Sequence, residues 1–146
     1  MKIRRATRED VADIVAMLAD DPLGATRERP GDPAYDRAFD VIDADPHQFL
    51  AVADEDGKVV GTLQLTFAAG LSRTGMTRAT IEAVRVHDDH RKAGLGRQLV
   101  EWAIDEARRR GAGLVQLTTD ASRQEAHRFY ERLGFVPSHV GMKLSL

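Results

Sequence analysis

Thr80-Ile81-Glu82-Ala83-Val84-Arg85-Val86 reads as a strand, and Arg91-Lys92-Ala93-Gly94-Leu95-Gly96 follows it after the turn His87 to His90. Beyond Gly96 the apolar residues recur at helical spacing, so the basic glycine stretch opens a helix. A strand, a short glycine loop and a helix start form a site for an anion. The first N–H groups of a helix have no partner within it and point outward. Glycine lets an anion approach the backbone because no Cβ intervenes. Taken alone, the same residues also suit a solvated basic turn.

Three phosphate loops can be compared with these residues. A Walker loop needs Gly-Lys-Ser/Thr, but Gly96 precedes Arg97 and Gln98. A dinucleotide loop needs a third glycine where this chain has Leu99, and no early βαβ unit surrounds it. The remaining pattern is Arg/Gln-x-x-Gly-x-Gly/Ala after a strand, and Arg91-x-x-Gly94-x-Gly96 fits it. In this the chain resembles the GNAT superfamily of acyl-CoA-dependent N-acetyltransferases. A second segment carries the same resemblance: Tyr130-Glu131-Arg132-Leu133-Gly134-Phe135 matches the family's Tyr-Glu-x-x-Gly-Phe ending, in the expected order and spacing.

Length and composition agree with one domain. At 146 residues the chain can bury a real core, and 42% hydrophobic residues mark it as globular. No apolar run is long enough for a membrane span, and Arg4 and Arg5 lead into Thr7-Arg8-Glu9-Asp10 instead of a secretory core. Cysteine is absent, which excludes disulfides and thiolate metal sites. A cytoplasmic setting is the default expectation. The net charge of −2 disfavours nonspecific nucleic-acid binding, so an anion site must come from local clustering of Arg and Lys.

Along the chain, Lys2 to Arg5 reads as a strand, and Thr7 with Asp10 caps a helix whose apolar face is Val11, Ile14, Val15 and Leu18. Asp20-Asp21-Pro22 ends it, and Leu23 to Gly31 is irregular. Asp32 and Pro33 open a second helix lined by Tyr35, Ala38, Phe39 and Ile42. His47 to Asp54 and Lys58 to Phe67 pair through an Asp56-Gly57 turn. In the central helix Leu95, Leu99, Trp102, Ala103 and Ala107 mark the buried stripe, widened by Val100 and Ile104. Arg108 to Arg110 read as its solvated last turn and Gly111 as its stop. Leu114 to Thr119 reads as a buried strand, Ser122 with Glu125 as a capping box for the last helix, and Phe135 with Val140 to Leu146 as a closing hairpin. The order β-α-α-β-β-β-α-β-α-β-β, with the resemblance, implies a single acetyltransferase domain over 1–146 with the α/β GNAT fold. Its mixed, mostly antiparallel central sheet would have about seven strands, flanked by four helices and splayed at the cofactor site.

What the resemblance implies about chemistry can be placed residue by residue. Acetyl-CoA would be the co-substrate, with no metal. Arg91, Lys92, Ala93, Gly94, Leu95, Gly96 and Arg97 would hold its pyrophosphate, Arg being suited to phosphate oxygens. The backbone of Val84, Arg85 and Val86 would pair with the pantetheine arm, and the N–H of Val84 would polarise the thioester carbonyl. Glu82 is the candidate base for the amine proton; the alternative is a strand glutamate in solvent or paired with an arginine. Tyr130 stands where the family often has a tyrosine near the thioester sulfur; the alternative is a core tyrosine. Leu23, Arg27 and Tyr35 border the acceptor, or are simply loop and core.

One departure stands out. The family's usual Asn at the start of the last helix is replaced by Asp120-Ala121-Ser122-Arg123, so Ser122 or Arg123 would substitute for it, and His127 is a further cofactor candidate. Ala126-His127-Arg128-Phe129-Tyr130 resembles the helix of aminoalkylphosphonate-type acetyltransferases, which bears on subfamily and not on the acceptor. His87 and His90 lack a third ligand and read as a solvated turn. The expected acceptor is a small-molecule amine, with no nucleic acid or membrane as partner. Homodimers are common in the family. Protein or peptide acetylation and a non-catalytic acyl-CoA-binding module remain as other readings.

Overall fold

A computed structural model describes residues 1–91 and 93–146; Lys92 lies outside the described residues. The strands are β1 (Lys2–Arg5), β2 (Gln48–Glu55), β3 (Lys58–Ala68), β4 (Arg78–Val86) and β5 (Leu114–Leu117). They lie in sequence order; the first three pairings are antiparallel and β4–β5 is parallel. Asp56 and Gly57 turn β2 into β3 with φ of 52° and 84°, as a two-residue turn with matching twist requires. The Asp54 carboxylate fastens that turn by accepting the Gly57 N–H at 2.7 Å.

The sheet layer lies between two helical layers. On one face α5 (Leu95–Arg109) covers Ala51, Ala53, Leu63, Leu65 and Ile81, with Leu99, Val100 and Ala103 wholly buried. On the other, α1 (Val11–Ala19) and α3 (Ala34–Ala44) meet Val52 and Val59 through Ile14, Met17 and Phe39. Alternation along β2 sorts its residues between these two cores. Gly61 sets the spacing under α5: a Cβ there would lie 2.9 Å from Leu99 Cδ1 and 3.4 Å from Leu95 Cδ2. α5 ends at Gly111, where the Ala112 N–H reaches the Ala107 carbonyl at 3.0 Å.

Several expectations are corrected. Among the described residues the sheet has five strands, not about seven. Val136 to Leu146 forms no hairpin: an alternating segment becomes a strand only beside a partner edge, and this one makes no ladder. Leu114 to Thr119 shortens to Leu114–Leu117 and is only half-buried, because β5 is an edge strand. Among the described residues six α-helical segments replace the expected four. The last helix is α6 (Gln124–Arg132), as expected; the two additions are single turns, α2 (Gly24–Arg27) and α4 (Ser72–Gly75), the latter with Arg73 and Thr74 in left-handed backbone. Ser122 does not cap α6; its hydroxyl donates to the Asp120 carboxylate at 2.6 Å instead. Arg109 and Arg110 are not simply solvated. Both clamp the buried Glu106, at 3.0 and 2.9 Å, and Arg110 also lies 4.8 Å above the Phe67 ring. No helix among the described residues is long and apolar enough to cross a membrane.

The first strand is pinned by charge. Arg4 donates to both Asp10 oxygens, at 2.7 and 3.1 Å, and to Asp54 at 3.0 Å, while Asp10 also accepts the Thr7 N–H. The hydrogen bond from Arg4 holds the Asp10 carboxyl below its usual range, against the opposing effect of burial. A depressed carboxylate pKa stabilises the fold above the unfolded value of about 3.9, and that stability is lost as pH falls through the lower folded value. Asp10→Asn is therefore expected to cost about 1–3 kcal/mol near neutral pH. In urea titrations the gap from the parent should close as the pH drops below about 4. A gap that stays constant into acid would remove the ion pair as its cause.

Candidate active site

β4 meets β5 only from Arg78 opposite Leu114 to Ile81 opposite Leu117; β4 then runs on to Val86 without that partner. The separation coincides with a change on the other side of β4. There Gln64 of β3 pairs with Glu82 and Thr62 with Arg85, so Ala83 and Val84 share one opposing residue, Leu63. This is a β-bulge, and Ala83 occupies left-handed backbone at φ 54°. The extra residue reverses the alternation. Ile81, Val84 and Val86 all pack against the core beneath α5, whereas strict alternation would turn Val84 away. Glu82 is exposed.

Past Val86 the chain makes a 3₁₀ turn, Asp88–His90, and reaches Gly94, whose φ of 77° aims it into α5. The first α5 hydrogen bond runs from the Gln98 N–H to the Gly94 carbonyl, which leaves the N–H groups of Leu95, Gly96 and Arg97 without helical acceptors. At Gly96 a Cβ would stand 3.7 Å from both Phe129 and Val86, so the loop is walled by α6 and the end of β4. Arg91 is more than a phosphate candidate. Its guanidinium donates to the Val86 carbonyl at 3.2 Å and the Asp20 carbonyl at 3.0 Å, and it pairs with Asp88. Arg97 pairs with Glu101 at 2.8 Å.

The opposite wall comes from α6 and the turn before it. Asp120 accepts the Ser122 N–H and hydroxyl, which hold its carboxyl below the usual range, while His127 Nε2 lies 3.0 Å from the Asp120 carbonyl. Tyr130 stands edge-on to Phe129 and Phe135, with ring centroids 5.0 and 5.8 Å away. Burial raises its phenol above the ordinary value, and the positive charges of Arg123 and Arg85 only partly offset this. The phenol therefore keeps its proton at neutral pH.

A third group, Asp21, has no sequence feature beyond its place in the helix stop Asp20-Asp21-Pro22. Asp21 and Arg85 form a largely buried ion pair, Oδ2 to Nε 2.9 Å, without the alignment of a hydrogen bond. Burial alone would raise the Asp21 carboxyl; the Gly24 N–H bond and the charge of Arg85 outweigh it and keep the carboxyl below its ordinary range. No local signal marks this pair, because its members stand far apart in sequence and meet only through the fold.

One long open cleft brings together most of the expected site residues. Glu82, Val84 to Val86, Arg91, Gly94, Gly96, Arg97, Ser122, Arg123, His127 and Tyr130 line it, as do Leu23 and Arg27. Ala93 and Leu95 do not; Leu95 is buried against the core. Tyr35 lies elsewhere: its hydroxyl accepts the Arg29 N–H at 2.8 Å and donates to Glu28 at 2.9 Å, and its ring borders a small apolar hollow between α1 and α3. Among the described residues no three His, Cys, Asp or Glu side chains gather as metal ligands.

Comparison with known proteins gives a consistent set of relatives. A profile of the acetyltransferase (GNAT) family matches residues 12–135. An aminoalkylphosphonate N-acetyltransferase of Salmonella typhimurium is 31% identical over 138 residues, covering 94% of this chain and 86% of that protein. The ribosomal protein bS18-alanine N-acetyltransferase of Escherichia coli is 37% identical over 68 residues, 47% of this chain and 46% of that protein. A crystal structure described as a transcriptional regulator from Bacillus halodurans superposes with a TM-score of 0.96 at 49% identity, over 99% of each chain.

The bulge can be tested through its backbone. A β-branched residue disfavours positive φ, so Ala83→Val is expected to lose about 1–3 kcal/mol of stability in urea unfolding. Ala83→Gly, which relieves the same strain, should stay within about 1 kcal/mol of the parent. A valine variant as stable as the parent would mean that Ala83 is not held in this conformation.

Proposed function

Because this chain belongs to the acetyltransferase (GNAT) family, we propose that it moves an acetyl group from acetyl-CoA to the primary amine of a small molecule by direct attack. The family members are acyl-CoA N-acyltransferases, and acetyl-CoA is their co-substrate. The carrying observation is the departure of β4 from β5 at Ile81, with the free strand leading into the glycine start of α5. These residues fit the cofactor: an unpaired strand edge suits a peptide-like arm, and helix-start N–H groups suit a pyrophosphate. Arg91 and Arg97 add positive charge beside Gly94 and Gly96. Arg123, Ser122 and His127 stand on the α6 side of the same cleft.

Each step has a group to serve it. An alkylamine has a pKa of about 10.4, so its neutral form at pH 7 costs about 4–5 kcal/mol. Glu82 takes the amine proton, directly or through water, as the nitrogen bonds to the acetyl carbon. The Val84 N–H supports the carbonyl oxygen, and Tyr130 donates a hydrogen bond to the sulfur as the carbon–sulfur bond breaks. Its raised phenol pKa suits a donor that keeps its proton in the resting site. The aminoalkylphosphonate relative supports a small amine. The openness of the cleft and the relative acting on a ribosomal protein favour a peptide N-terminus as the second reading. A net charge of −2 lends no support to a DNA-bound regulator. A cytoplasmic location goes with this reading.

Saturating acetyl-CoA, at about 100 times its Kd, should stabilise the fold by about 2.7 kcal/mol and raise Tm. An unmoved melting curve would end the cofactor assignment. A panel of small amines and peptide N-termini, followed by thiol release, separates the two acceptor classes. On the best acceptor Glu82→Gln should lower kcat by about 100-fold at pH 7, with the deficit shrinking as pH rises. An equal deficit at every pH would show that Glu82 is not the base. Tyr130→Phe should slow acyl transfer about tenfold or more while cofactor affinity holds. Weakened acetyl-CoA binding at unchanged turnover would place Tyr130 in packing alone.

A further inference from the structure

We infer, resting on the reading of β4 as the cofactor edge, that Arg85 and Arg91 cap the two carbonyls of that edge and give way when the cofactor arm takes it. The His87 N–H bonds the Val60 carbonyl at 2.8 Å, so His87 faces β3. Backbone groups alternate along a paired strand. Arg85, opposite Thr62, therefore faces β3 as well, and Val84 and Val86 face away from it. On that outer side β5 has already ended at Leu117, and among the described residues no strand meets the Val84 and Val86 carbonyls. Each is met by a guanidinium instead. Arg85 Nη1 donates to the Val84 carbonyl at 2.9 Å, and Arg91 Nε donates to the Val86 carbonyl at 3.2 Å.

Both caps are held from one place, the end of α1. Asp21 Oδ2 lies 2.9 Å from Arg85 Nε. Its neighbour Asp20 accepts from Arg91 Nη2 on its carbonyl at 3.0 Å and on its carboxylate at 3.3 Å. Two adjacent aspartates thus hold two arginines over alternate carbonyls of one strand. An amide-bearing arm that adds to this edge has to donate to the same oxygens, so each bonded guanidinium competes with it. For Arg91 the exchange has a second effect. Its charge is engaged by Val86, Asp20 and Asp88, and turning toward a pyrophosphate at Gly94 and Gly96 takes it off Val86. One movement clears the edge and brings positive charge to the glycine loop.

Binding, not turnover, decides this, with two ligands: CoA, and pantetheine, which has the arm without the phosphates. Calorimetry gives Kd for CoA and an NMR titration gives Kd for pantetheine. Arg91→Met should bind pantetheine about threefold tighter or more, because one competing hydrogen bond is gone, while CoA binding weakens. Asp21→Asn combined with Arg85→Met removes the buried pair as a unit and should bind both ligands more tightly by a similar factor. Arg91 is 48% exposed, so its variant settles the matter alone if the buried-pair variant does not fold. Pantetheine affinity unchanged or reduced in either folded variant would overturn the caps and leave the acetyl-transfer reading in place. CoA affinity that rises in Arg91→Met would overturn the movement of Arg91 to the pyrophosphate. A parent with no affinity for CoA would overturn both the caps and the enzymatic reading.

Discussion

A strand can serve a neighbour on each side only while its pairing stays in step, and β4 falls out of step at Ala83. The additional residue bends and twists the strand, as bulges do, and the parallel partnership with β5 ends close by. Three consequences share this origin. A length of backbone edge is released in the middle of the molecule instead of at its margin. Val84 and Val86 return to the core, which fixes that edge in place. Glu82 is left exposed at the point where the strands part. The cost is a non-glycine residue in left-handed backbone, of the order of 1–2 kcal/mol.

Charge then fixes the surroundings to this edge. Asp20 and Asp21, adjacent at the end of α1, diverge: Asp20 contacts Arg91 in the glycine loop and Asp21 contacts Arg85 within β4. The end of α1 is thus tied to two successive stretches of the cleft wall, and Leu23 and Arg27 lie in the segment just beyond. The two ties differ in strength of context. The Arg91 contact is about half-exposed, so salt and solvent weaken it, whereas the Arg85–Asp21 pair is largely withdrawn from water. Losing one partner there would leave an uncompensated buried charge.

Local features were legible in the sequence and partnerships across the fold were not. The Asp56-Gly57 turn, the α5 stripe, its stop at Gly111 and the glycine opening at Gly94 depend on neighbours within a few residues, and all appear where the pattern puts them. The strand count depends on what lies beside a segment, which alternation at Val140 to Leu146 cannot reveal. Ser122 has two acceptable partners within reach, and the sequence cannot tell that Asp120 wins. Arg108 is solvated as the pattern predicts, but Arg109 and Arg110 are not, because Glu106, one turn earlier, gives no sign in sequence that it is buried. Tyr35 lies on the helix that the Asp32-Pro33 start predicts, but it faces the hollow between α1 and α3, because its phenol bonds to Glu28 and Arg29.

Gly61 does not itself line the cleft, yet it sets how closely the first turns of α5 lie on the sheet. A methyl group added there would press on Leu99 and Leu95, and Leu95 belongs to the turn whose N–H groups face the glycine loop. Either those two leucine side chains shift or the start of the helix lifts, and Gly94 and Gly96 move with it in the second case. Variation at this position would then alter the shape of the glycine loop in a protein whose cleft-lining residues were all unchanged. Position 61 behaves as the fulcrum of a lever whose far arm is the glycine loop.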